Sequence, residues 1–210
     1  MVELKKYLMN LYFMKLTHEE FLYYCVAILA NVAFGSGFMR FFASALSELP
    51  PEESKIYDFN PFTNLDIIGT IVFLTAGFGW GRQVSDHKLS IKKQKLGWLI
   101  LALIPPFASL TLALTAAYIK YFLWSDRVID ILLGLSVTIT AYHILPIPPF
   151  AGSRIIYLAL PGERAWRLFS KAGPFIILAL VLLDRFSGTP FLRELMDPIV
   201  KAVGNFVAYR

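Results

Sequence analysis

Few side chains in this chain are equipped for chemistry, and their spacing narrows what they could do. Hydrolysis at a bound zinc needs three protein ligands, an open water position and a base beside it. The histidines are His18, His87 and His143, and no two of them are four residues apart, so no helix face presents an imidazole pair. "HEEFL" at 18–22 opens like H-E-x-x-H but ends in Leu22, and reads as the start of a helix. His87 lies in a basic loop and reads as solvated. His143 stands beside an apolar run, where an ionisable group is either functional or bonded to backbone that a proline break has freed. Serine chemistry lacks a G-x-S-x-G turn, and "GSG" at 35–37 reads as small residues that let helices pack closely. Cys25 is the sole cysteine, which excludes an internal disulfide and a cysteine-cluster metal site.

The elements that must position these residues are apolar. Of 210 residues, 57% are hydrophobic and 17% charged, and the mean hydropathy is +0.59. A water-soluble globule would have too little polar surface to cover itself, so the composition predicts an integral membrane protein. The fold expected is an all-α, polytopic bundle in a single domain over 1–210, with about five spans at ~20 apolar residues each. The formal charge of +5 and pI near 9.3 sit in short loops beside apolar runs, which favours membrane lipid as partner and excludes nucleic acid.

Thr17 and Glu20 have the spacing of a capping box, starting a first span over about 20–46. Further spans are expected at about 66–81, 96–119, 128–143 and 173–185, with an interfacial helix over 189–210. The run at 67–80 is short enough to be re-entrant instead, and Pro105 with Pro106 should kink the third span. Residues 152–168 suggest a short amphipathic helix. The segment before Leu16 lacks the pattern of a removable signal and is expected to be retained. Loops 82–95 and 154–171 are basic and predicted cytoplasmic; five crossings put both on the side of the N-terminus.

"HILPIPPFAGSRII", residues 143–156, places three prolines and a glycine where such breaks are costly in lipid. The stretch resembles the N-x-x-P-x-x-x-x-D-G motif of the site-2 protease family of intramembrane zinc metalloproteases, with Pro146, Gly152, Arg154 and Ile155 in register. "FNPFTNLDIIGTIVFLTAGFGWGR" at 59–82 is similar to another family segment, sharing Asn60, Pro61, Asp66, Gly69, Thr70 and Gly77–Trp80. "LALIPPFASLTLAL" at 101–114 sits where the family has a G-P-x-x-N segment. The likeness spans roughly residues 20–185.

The departures fall on the chemistry. Family spacing from Asn60-Pro61 places the metal helix at Gly35, Ser36, Gly37, Phe38 and Met39, so both histidine ligands and the glutamate base are replaced. The aspartate ligand is Ala151, the preceding asparagine His143, and the asparagine of G-P-x-x-N is Ser109. The resemblance therefore implies a pseudoprotease with no metal, no cofactor and no catalytic residue. Such a protein would hold or regulate a transmembrane client through a groove at His143, Pro146, Pro148, Pro149, Ala151 and Gly152. The alternative is an active zinc protease with displaced ligands, His143 with Asp58 or Asp66.

Overall fold

The structure, a computed structural model, describes residues 11–46, 58–83, 94–157, 163–187 and 190–208. The fold is an all-α bundle. Its first long helix, α1 (His18–Leu46), begins as the capping box dictates: Thr17 N–H donates to Glu20 Oε2 at 3.0 Å and Glu20 N–H to Thr17 Oγ1 at 3.2 Å. Twenty-nine residues give α1 a length of about 43 Å.

After α1, a four-residue helix α2 (Pro61–Asn64) leads into α3 (Ile67–Ala76). Asn60 caps α2 by accepting from Phe62 N–H, and Asp66 caps α3 by accepting from Gly69 N–H at 2.7 Å. Gly77 ends α3 with φ +85°, a left-handed conformation that suits glycine. The chain then returns extended, and Leu65 bridges Gly81 while Arg82 N–H donates to Asn64 O at 2.7 Å.

These contacts fix the path of the segment. It enters beside residues 37–40 of α1, where Asp58 pairs with Arg40 at 3.4 Å and the Phe59 ring lies against Gly37. Its tip reaches Tyr24, whose hydroxyl donates to Phe73 O at 2.8 Å, and Tyr12, which lies over Gly77. Gly81 comes back against Val32 and Ser36. Residues 58–83 are therefore a hairpin that leaves at the level where it entered. The ten residues of α3 rise only about 15 Å, half of a hydrocarbon core of about 30 Å. By length α3 alone does not reach across, which suits the re-entrant alternative for 67–80, and the return brings Gly81 and Gln83 back beside the middle of α1, near Val32 and Ser36.

Helix α4 (Gln94–Tyr118) starts on the half of α1 opposite Thr17, since Trp98 packs with Met39 and Ala43. It runs unbroken through Pro105 and Pro106 and closes in a π-helical turn, Ile119–Leu123. Helix α5 (Arg127–Tyr142) returns from the Thr17 end, where Arg127 pairs with Glu20 and Lys120 with Asp130 at 2.9 Å. Tyr24, Ile28 and Val32 of α1 pack on Leu135 and Ile139 of α5, and Ala113 and Ala117 let α4 approach Val137.

The proline loop then leads to α6 (Gly152–Tyr157), and α7 (Glu163–Ser187) follows as one helix with Pro174 inside it. Instead of a short helix over 152–168 and a span from 173, the structure has one helical turn and a half, then a long helix that begins at 163. α8 (Phe191–Ala208) buries Leu192 and Met196 against Phe78, Tyr142 and Ile177, and Val207 against Ala113. Among the described residues, three helical stretches are long and apolar enough to cross a membrane: His18–Leu46, Leu96–Leu123 and Arg164–Ser187.

Candidate functional site

The loop of the sequence motif is closed by its own backbone. His143, Ile144 and Leu145 donate to the carbonyls of Ile139, Ala141 and Tyr142, Phe150 donates to Ile147 O, and Gly152 donates to His143 O at 2.8 Å. A Cβ at Gly152 would fall against the carbonyls of Ile144 and Leu145, which is why this position is glycine. Phe150 is fully buried between Trp80 and His143, with ring centroids at 5.4 and 5.8 Å. Pro148 packs on Gly173 of α7, and the Pro148–Pro149 bond is cis. Prolines 146, 148 and 149 have no N–H, and five other amides of the loop are bonded internally, so few N–H donors are left for an added strand.

Beside the loop lies a cavity of about 20 Å³, room for roughly one water. Asn31, Gly35 and Ser36 of α1, the Gly79–Gly81 return of the hairpin, Ser109 of α4 and His143 at the end of α5 line it. Four positions nominated from sequence thus meet, brought from three helices. Gly35 leaves open space where a side chain would stand, with nothing within 4 Å of a Cβ placed there. Met39, one turn on, is buried instead among Ala43, Trp98 and Leu101, and Ala151 is buried behind the loop without lining the cavity.

Asn31 is the site residue that motif matching missed. Its Nδ2 donates to Ala27 O at 2.9 Å and to Ser136 Oγ at 3.0 Å, while its Oδ1 is buried without a partner. His143 Nδ1 is likewise buried and unpartnered. Gln83, also on the cavity wall, accepts from the buried Arg154 at 3.4 Å.

The donor set does not fit a catalytic zinc. Among the described residues the cavity offers one imidazole, two amides and two hydroxyls, where such a site takes three nitrogen, sulfur or carboxylate ligands. The displaced set is not gathered either. Asp58 is engaged by Arg40 and by Thr63 Oγ1 at 2.9 Å, and Asp66 by Gly69 N–H and by Trp80 Nε1 at 3.0 Å. Among the described residues no three His, Cys, Asp or Glu side chains converge. His18 is exposed at the start of α1, and His87 lies outside the described residues.

No family model matches the chain. A curated protein of Bacillus subtilis (strain 168), described as "Putative zinc metalloprotease YwhC", is 28% identical over 159 residues, covering 68% of this chain and 73% of its own length. No solved structure matches. The likeness supports the site-2-protease-like relationship suggested by the motifs.

Proposed function

We propose that this protein keeps the scaffold of an intramembrane site-2-type metalloprotease and uses it without hydrolysis, holding or regulating a membrane-protein client. The observation that carries the reading is the composition of the cavity. At the place where the family's metal helix would meet the proline loop, Gly35, Ser36 and His143 stand with Asn31 and Ser109, and Asp58 and Asp66 are engaged elsewhere. Loss of the metal would remove the chemistry but not the packing, because Phe150, Trp80 and the self-bonded loop hold the walls in place. The space at Gly35 and the unpartnered Asn31 Oδ1 and His143 Nδ1 then form a polar recess in an apolar bundle. A recess of this kind suits a polar group of a client segment that must leave lipid, since unpaired polar groups are costly there.

Metal content tests this reading. Detergent-purified protein, incubated with zinc and desalted, is expected to hold far less than one equivalent, with His143→Ala unchanged. Stoichiometric zinc that disappears in His143→Ala overturns the reading in favour of an active metalloprotease. For the client, a photo-crosslinking residue at position 35, where the space is open, is expected to capture a membrane protein in the native host. No adduct from position 35, with the protein folded, removes the client from the proposal.

A further inference from the structure

The turn between α4 and α5 has a surface that the site does not use. Tyr118, Tyr121, Phe122, Leu123 and Trp124 are all more than half exposed, Phe122 at 75%. Residues 119–123 form a single π-helical turn, closed by Trp124 N–H donating to Ile119 O at 2.8 Å. Tyr121, Phe122 and Leu123 point in different directions around the axis of such a turn and are all exposed, as is Trp124 after it, so most of the turn is bare and only Ile119 and Lys120 are half-buried. A docked protein would cover one side. Apolar exposure around most of a turn fits a surrounding medium that is itself apolar.

Charges border the patch closely. Lys120 pairs with Asp130 and lies over the Tyr121 ring at 5.6 Å, and Arg127 pairs with Glu20. Aromatic rings with polar edges, next to ion pairs, at the end of a candidate span, match the headgroup layer, where one end of a ring is dry and the other wet. A second ion pair, Arg40–Asp58, lies along α1 from Glu20 by about 30 Å, the thickness of a hydrocarbon core.

We infer that residues 118–124 are a lipid-embedded anchor, with Trp124 and its aromatic neighbours seated at the headgroup–acyl boundary of one leaflet. The inference rests on the membrane character of the chain and is independent of whether the cavity binds metal or client. It also sets depth. α5 starts at this boundary and its sixteen residues rise about 24 Å, so His143 and the cavity lie below the opposite boundary by roughly a helical turn.

The four tryptophans make a direct test feasible, because Trp80, Trp98 and Trp166 are buried and Trp124 is 62% exposed. The full chain is reconstituted in phosphatidylcholine vesicles carrying either a nitroxide on the headgroup or bromine along the acyl chain. The shallow quenchers are expected to dim wild-type emission strongly, and most of that loss should vanish in Trp124→Phe, whose helicity is checked by circular dichroism. Iodide in the water should have little effect on the Trp124 component. Quenching of that component by iodide as by free indole, with no effect of lipid quenchers, places the turn in water and overturns the inference. So does a Trp124 component that no quencher reaches, which means a protein partner covers it, or one reached only by bromine near the chain ends.

Discussion

At the residue scale, Gly152 shows how a single atom holds the loop. Its amide closes the ring onto His143 O, and its missing Cβ makes room for the Ile144 and Leu145 carbonyls. Those neighbours are backbone and cannot swing aside, so Gly152→Ala must move the loop. We expect a loss of about 1–3 kcal/mol, the usual cost of overpacking, read as a lower unfolding midpoint in detergent. An unchanged midpoint would mean that the loop is looser than its hydrogen bonds imply. The capping pair Thr17 and Glu20, the histidine at the end of α5 and the glycine of the loop were all legible in the sequence, because each has a local signature of type and spacing. Asn31 was not nominated although it is polar inside an apolar run, which is itself a signal. It belongs to no motif, and its partner Ser136 is 105 positions away.

At the element scale, the hairpin shows where periodicity stops being informative. Fourteen apolar residues at 67–80 suit a span and a re-entrant segment alike, and length alone does not separate them. The stop signals were present in the sequence: Asp66 as cap at the start of α3 and Gly77 in the left-handed conformation at its end. What makes the segment return is tertiary. Trp80 donates its indole N–H to the same Asp66 carboxylate oxygen that caps α3, so one side chain joins both arms. Asp66→Ala removes a cap and leaves the mostly buried Trp80 N–H unpaired. Each of these costs about 1 kcal/mol or more, and the change should expose the hairpin to protease while α1 stays protected. Asp66→Asn keeps an acceptor for both donors and should retain most of the protection. Equal loss in the two variants would point to the charge, not the hydrogen bonds. The long α7 runs through Pro174 and begins ten residues earlier than the expected span at 173–185, and Gly173 lets Pro148 of the loop pack against it.

At the scale of the whole molecule, the path of residues 58–83 bears on sidedness. A segment that crosses at 66–81 would return the chain to the N-terminal side before α4; a hairpin keeps it on the far side of α1. Three contacts favour the second path: Leu65 with Gly81, Trp98 with Met39, and Arg154 with Gln83, which brings together the first residues of the two basic stretches. If those stretches face the cytoplasm, as the charge rule predicts, then Thr17 and the Glu20–Arg127 pair face the other side. The N-terminus then lies opposite to where a five-span count puts it. The chain is well suited to the measurement, because Cys25→Ser removes its one thiol. Single cysteines at the exposed positions 17 and 82, made as Thr17→Cys and Arg82→Cys, are treated with a membrane-impermeant maleimide on sealed vesicles of known orientation. Labelling from opposite faces is the expected outcome. Labelling of both from one face would require 66–81 to cross after all, and would also move the cavity, which the return of Gly79–Gly81 helps to wall, out of its place in the bundle.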